Sequence, residues 1–203
     1  MIEIQIKNTP LKFETDSELF SPKTVDVGTL SMLALTEFLQ EDKVLDLGCG
    51  YGVVGILACK LIGWENVIMC DISDKAVEYA RRNAKLNGIP NADIRISNGF
   101  ENIMEHDFTL ILSNPPYHTD FSVAKHFIEV GFNKLSVGGR MVMVTKRLEW
   151  YKNKLSSIFG GVKVQEINGY YVFIAEKRNN YIKKKEKKST LSKKLQRKQK
   201  KIC

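Results

Sequence analysis

The chain has 203 residues, of which 31 are Lys or Arg and 23 Asp or Glu, with 43% hydrophobic content. That size favours one domain with enough core to fold without disulfides or a structural metal, and no apolar run is long enough to span a membrane. The net charge of +8 is uneven: residues 177–203 hold 13 basic residues and one acid, Glu186, so residues 1–176 hold 18 basic and 22 acidic and stand at −4.

The N-terminus, MIEIQIKN, lacks a signal peptide's apolar core. Cys49, Cys59, Cys70 and Cys203 show no paired metal spacing, and the three histidines, His106, His118 and His126, are scattered. The cysteines are expected as buried free thiols of a cytoplasmic protein, with no metal site.

Ile2, Ile4 and Ile6 alternate with polar residues, and after Asn8-Thr9-Pro10 so do Leu11 and Phe13, which predicts a hairpin ahead of the main sheet. A polar loop, LFSPKTVDVGT, runs from Leu19 to Thr29, and a helix is expected over Leu30 to Leu39. The loop leads into a glycine-bearing strand and is expected as a lid beside a ligand rather than a plain connector. Val44, Leu45 and Leu47 then form the apolar run of a buried parallel strand, followed by Gly48, Gly50, Gly52 and Gly55. Ile56, Leu57, Ala58, Leu61 and Ile62 supply a helix's apolar side.

A second strand runs from Val67 to Asp71, and Ser73 or Asp74 can cap a helix with Ala76, Val77, Ala80 and Ala84 inward, stopped by Gly88 and Pro90. Ala92 to Ile96 is a third strand, and Phe108 to Leu112 a fourth that leads into Asn114-Pro115-Pro116-Tyr117. A helix over Ala124 to Leu135, a turn at Gly138-Gly139, a strand over Met141 to Thr145 and a helix over Leu148 to Phe159 follow. Val162–Ile167 and Tyr170–Ala175 flank Asn168-Gly169, a two-residue hairpin signal. This alternation predicts an α/β fold, mostly parallel with an antiparallel C-terminal hairpin strand.

The strand, glycine loop and helix over residues 44–62 make a cofactor site. Glycine allows close approach, and a helix start presents N–H groups to a ligand. Gly50, Gly52 and Gly55 match the dinucleotide pattern G-x-G-x-x-G, and Asp71, 19 residues beyond Gly52, stands where a carboxylate accepts ribose hydroxyls. Asp46 argues against a pyrophosphate, because a fixed anion just ahead of Gly48 suits an ammonium better. The stretch VLDLGCGYGVVG resembles the first motif of S-adenosylmethionine-dependent methyltransferases, in which an acid two residues before the first glycine serves the methionine amino group.

Asn114-Pro115-Pro116-Tyr117 stands at a strand's carboxyl end, where open α/β sheets bind ligands. Its two prolines are stiff and lack N–H groups, so the segment offers acceptors. Asn114 and a neighbouring carbonyl can both accept from one –NH₂ group, and Tyr117 supplies a flat face for a base. Read blandly, the stretch is a rigid turn closing a strand.

This motif resembles that of methyltransferases acting on amide or nucleobase nitrogens. Together FSPKTVDVGT, VLDLGCGYGVVGI, ISNGF and LSNPPYH resemble the small-domain family of ribosomal RNA guanine-N2 methyltransferases, over about residues 15–175. The resemblance implies a Rossmann-like seven-stranded methyltransferase fold and an enzyme that methylates an exocyclic amine of a nucleobase, guanine N2 in ribosomal RNA. Its implied cofactor is S-adenosyl-L-methionine and its implied partner ribosomal RNA or a ribosomal subunit, with no membrane. It assigns the methionine part of the cofactor to Asp46, Gly48 and Gly50, the ribose hydroxyls to Asp71, and the adenine to Asn98. Asn114 and Pro115 take the target amine, and Tyr117 stacks on the base, with Pro116 and Phe20 also on the substrate side. Asp26 matches the upstream element without a chemical role, and equally caps the helix after it.

The methyltransferase domain is expected over 1–176, its first forty residues forming hairpin, lid loop and helix. Residues 177–203 are expected as a basic disordered tail that either solubilises or attracts phosphate. Two other readings stay open: a methyltransferase acting on a protein glutamine, and a non-catalytic RNA-binding protein that kept the fold.

Overall fold

Nine strands and five α-helices form in the computed structural model, which describes residues 1–116 and 121–180. An N-terminal hairpin pairs β1 (Ile2–Ile6) with β2 (Thr9–Phe13). After α1 (Val27–Leu35), alternation proceeds through β3 (Val44–Leu47), α2 (Val53–Ile62), β4 (Val67–Asp71), α3 (Asp74–Leu86) and β5 (Asp93–Ile96). It continues through β6 (Phe108–Ser113), α4 (Ser122–Lys134), β7 (Leu135–Thr145) and α5 (Leu148–Phe159), and ends in a hairpin of β8 (Lys163–Ile167) and β9 (Tyr170–Glu176).

The last seven strands form one sheet in the order β5-β4-β3-β6-β7-β9-β8, parallel except that β9 runs against both β7 and β8. This is the expected fold class. From β3 the chain winds outward to β5, then returns to place β6 on the other side of β3. That reversal leaves a crevice at the carboxyl ends of β3 and β6, where such sheets bind ligands. Ser113 Oγ donates to Leu47 O at 2.8 Å and ties the two strand ends together.

Both faces of the sheet are covered, so β3 is buried along its whole length. Its side chains alternate between two cores. Val44 joins the one built with α2 and α3, including Ile56, Leu57, Val77 and Ala80. Leu45 and Leu47 join the other, with Phe127, Ile128, Phe132 and Leu155 of α4 and α5.

Several boundaries differ from the sequence pattern for visible reasons. The first hairpin turns at Lys7 and Asn8, both at positive φ (49° and 63°), rather than at Asn8-Thr9-Pro10. Helix α1 starts early because Asp26 caps it, and it stops at Leu35, where Thr36 is extended and returns its hydroxyl to Met32 O. Gly138-Gly139 does not interrupt β7; the backbone of Lys177 bonds to both glycines and carries the strand across. Lys177 is buried, its Nζ donating to Leu135 O at 2.6 Å, and burial lowers its pKa. The basic run from 181 to 203 lies outside the described residues.

The hairpin is held to the body by two asparagines one turn apart on α3. Fully buried Asn83 donates to Glu14 O (3.0 Å) and Tyr51 O (2.9 Å) and accepts from Glu14 N (2.7 Å). Asn87 exchanges two bonds with the backbone of Lys12. Neither contact follows from apolar periodicity. Asn83→Ala, which strands the Tyr51 carbonyl, is expected to lower the unfolding free energy by about 1–3 kcal/mol. The half-buried Asn87→Ala should cost less, both read from urea unfolding of the intact chain.

Candidate active site

The loop after β3 uses its own amides to build the site. Gly48 and Cys49 both donate to Cys70 O (2.9 Å each), Gly50 N to Asp71 Oδ2 (2.9 Å), and Gly55 N to Asp46 Oδ2 (2.8 Å). The expectation that this loop and helix start present their N–H groups to a ligand therefore fails at those four residues. A pyrophosphate cradle needs such donors, and this loop directs them at the protein's own acceptors.

A different kind of ligand fits. Gly48 and Gly50 have positive φ (80° and 55°), and a Cβ at either would meet nothing within 4 Å, so the loop faces open space. That space is a cavity of about 350 Å³ whose floor includes Gly48, Gly50, Asp71, Ser97 and Asn98. Asp71 Oδ1 accepts from Ser73 N and Oδ2 from Gly50 N, both at 2.9 Å. A carboxylate accepts about four hydrogen bonds, so each oxygen keeps room for a hydroxyl. Asn98 donates to Glu101 Oε1 at 2.9 Å, leaving its carbonyl oxygen for a donor. Ile72, two-thirds exposed beside Asp71, adds an apolar wall.

A second, smaller cavity of about 60 Å³ lies between the glycine loop and residues Phe20, Ser21, Val25 and Asp26. The two share Phe20, Gly48, Gly50 and Asn114. The upstream loop therefore does cover the glycine loop, and Tyr51 Oη reaches Ser21 O at 3.5 Å.

Asp46 lines this smaller cavity and is 2% exposed. Burial pushes its carboxyl up to about 7; the Gly55 N–H opposes the rise and the charge of Asp71 adds to it. The fixed anion expected from the sequence is thus a titratable group, one that a bound cation would ionise. The thiols of Cys49 and Cys70 are raised by burial as well, Cys70 to about 12, so both stay protonated. Among the described residues no cluster of His, Cys, Asp or Glu could hold a metal.

Asn114, Pro115 and Pro116 extend from β6 into the wall of the larger cavity, opposite Asp71. Phe20, 55% exposed, stands at the mouth of both cavities. Tyr117 lies outside the described residues. Asp46, Gly48, Gly50, Asp71, Asn98 and Asn114 are thus brought to one crevice from four separate strand ends.

Sequence reasoning missed the role of the upstream element. Asp26 Oδ2 accepts from Thr29 N (2.8 Å), as the cap of α1, and from Asn114 Nδ2 (2.9 Å). Thr29 Oγ1 lies 3.1 Å from the same Asn114 nitrogen. Gly28 belongs to the same arrangement, since a Cβ there would stand 2.7 Å from the Tyr170 ring and 2.9 Å from Asp26 Oδ2. The available signal was the D-x-G-T pattern itself, with the partner 88 residues away.

The family described as methyltransferase small domain matches residues 10–174. The uncharacterized protein YbxB of Bacillus subtilis is 33% identical over 181 residues, covering 85% of this chain and 89% of that protein. Ribosomal RNA small subunit methyltransferase C of Serratia proteamaculans is 32% identical over 165 residues, 79% of this chain and 47% of that enzyme. A T. thermophilus 16S rRNA N2 methyltransferase solved with AdoMet and guanosine superposes with a TM-score of 0.74 at 26% identity, over 87% of this chain and 50% of that one. The chain spans about half the length of these ribosomal RNA methyltransferases.

Asp46 gives the ligand-free protein a pH signature. The fold favours its protonated form, so its contribution is fully present below the ordinary value of 3.8 and is lost as pH rises through about 7. Asp46→Asn should match the wild type near the low end of that window and exceed it above pH 7 by at most ~4 kcal/mol. Urea unfolding of both proteins across the window checks this; parallel curves would mean the carboxyl is ionised throughout.

Proposed function

The chain belongs to the methyltransferase small-domain family, and from that premise we propose that it uses S-adenosylmethionine to methylate an exocyclic amine of ribosomal RNA, the 2-amino group of guanine. Family members use S-adenosylmethionine, and the crevice fits it. The observation that carries the proposal is the position of Asn114-Pro115-Pro116 in the cavity that also holds Asp71 and the glycine loop. Acceptor groups for an amine and a floor for a nucleoside share one 350 Å³ space.

Asp71 accepts the two ribose hydroxyls on the lone pairs its backbone donors leave open. Asn98 Oδ1 accepts from the adenine amino group. Asp46, beside Gly48 in the smaller cavity, would ionise against the ammonium of the methionine part. When bound, S-adenosylmethionine supplies a sulfonium-activated methyl group that the target nitrogen takes with its lone pair, the bond pair staying on sulfur.

Asn114 Oδ1 and the Pro115 carbonyl then accept from the two N–H bonds of the target amine. Holding both favours a pyramidal nitrogen with its lone pair toward the methyl group and stabilises the positive charge that grows there. Positioning of this kind is worth up to ~7–11 kcal/mol in favourable systems. No general base is needed, since the methylated nitrogen sheds its proton to water after transfer. Phe20, Pro116 and Tyr117 form the substrate side, with Tyr117 as the stacking face.

Asn114→Ala should abolish methyl transfer to ribosomal RNA transcripts while leaving the affinity for S-adenosylmethionine unchanged. Asp71→Ala should weaken that affinity by ~1.5–3 kcal/mol, the worth of hydrogen bonds to a charged group. Titration calorimetry with a tritium transfer assay separates the two; loss of cofactor binding in Asn114→Ala would contradict the assignment.

Residues 1–180, at −2, need a cationic element to hold RNA, and residues 181–203 carry eleven Lys and Arg against one Glu. Removing them should weaken RNA binding and flatten its salt dependence by a few units, each phosphate contact contributing roughly 0.7–0.9 to the slope. Binding measured at several salt concentrations, full length against 1–180, checks this. Equal slopes would assign RNA to the folded surface alone.

A further inference from the structure

We infer that Asp26 is a positioning residue for the acceptor. By holding the amide nitrogen of Asn114, it leaves the amide oxygen as the part of that side chain turned to substrate, so the site takes an –NH₂ donor and refuses a ring nitrogen or carbonyl. This rests on the methyltransferase reading and adds to it the residue that fixes the polarity of the acceptor subsite.

The hydrogen-bond network has one sense. Asp26 Oδ2 is already fixed by Thr29 N at 2.8 Å, and a carboxylate only accepts. The Thr29 hydroxyl lies 3.3 Å from that oxygen and directs its hydrogen there, which leaves its lone pairs for Asn114. Asn114 Nδ2 stands 2.9 Å from Asp26 Oδ2 and 3.1 Å from Thr29 Oγ1, so each of its two hydrogens has a partner. Reversing the amide would set Asn114 Oδ1 against the carboxylate, and the Thr29 hydroxyl could meet it only by giving up its own bond to Asp26. The two prolines after Asn114 contribute no N–H. At this strand end the subsite is therefore lined by acceptors.

One further feature belongs to the same device. Gly28 leaves room for both the Tyr170 ring and the Asp26 carboxyl, because a Cβ there would stand 2.7 Å from the ring and 2.9 Å from Asp26 Oδ2.

A purely structural role for Asp26 would be to cap α1. Serine, asparagine and aspartate cap helices about equally well, which separates the two roles. Asp26→Ser keeps a cap for Thr29 N, but its side chain is too short to reach Asn114. Asp26→Asn keeps an oxygen at the position that holds both Thr29 N and Asn114 Nδ2.

The test uses the full-length chain, tritiated S-adenosylmethionine and unmodified 16S and 23S ribosomal RNA transcripts. Asp26→Ser should lower kcat by about 100-fold, the scale of a misplaced reacting group, with the KM for S-adenosylmethionine and the melting temperature unchanged. Asp26→Asn should recover most of the rate. In ¹⁵N spectra the Asn114 side-chain protons should exchange slowly in the wild type and Asp26→Asn, and fast in Asp26→Ser. Wild-type turnover in Asp26→Ser overturns the proposal, because capping alone would then suffice. Loss in Asp26→Asn equal to that in Asp26→Ser overturns it too, because the carboxylate would then act by its charge and not by its hold. A wild type that methylates nothing defeats the methyltransferase reading, while the exchange rates still decide whether Asp26 holds Asn114.

Discussion

The pairing of β3 with β6 is the constraint from which the rest follows. The two strands are far apart in sequence yet adjacent in the sheet, with Asp46 in register with Leu112. Each ends in a segment that cannot continue as a strand. β3 runs into glycines at positive φ, β6 into a proline pair. Both segments therefore leave the sheet at the same edge, and the crevice between them is where a nucleoside and an amine can meet. The tie from Ser113 to Leu47 O fixes how far apart they stand.

Charge at that crevice is arranged in depth. Asp71 is open to the larger cavity and braced by two backbone donors. Asp46 is almost fully buried beside the smaller cavity, and that burial raises its carboxyl to about 7. Asp26 lies on the lid side and acts through Asn114 rather than on the ligand. Three carboxyls within one site thus differ in burial and in partners.

Much of this was legible in the sequence because it is local. An apolar run, four glycines and a helix pattern within twenty residues define β3, its loop and α2, and the proline pair marks where β6 ends at the cavity. What was not legible is tertiary. Asn83 and Asn87 read as ordinary polar positions on α3, and only the fold shows them pairing with backbone 69 and 75 residues away. Phe38 and Leu39 extend the apolar pattern of α1, but Thr36 ends the helix with its own hydroxyl. Asp26 had a local explanation as a cap, which hid its contact with Asn114.

The central claim is that the acceptor is a nucleobase amine of ribosomal RNA, and nucleoside mass spectrometry of ribosomal RNA from a strain lacking this gene tests it most directly. The account predicts loss of N2-methylguanosine at a defined position, restored by the wild-type chain and not by Asn114→Ala. An unchanged set of methylated nucleosides, or loss of a methylated glutamine from a protein instead, would contradict it.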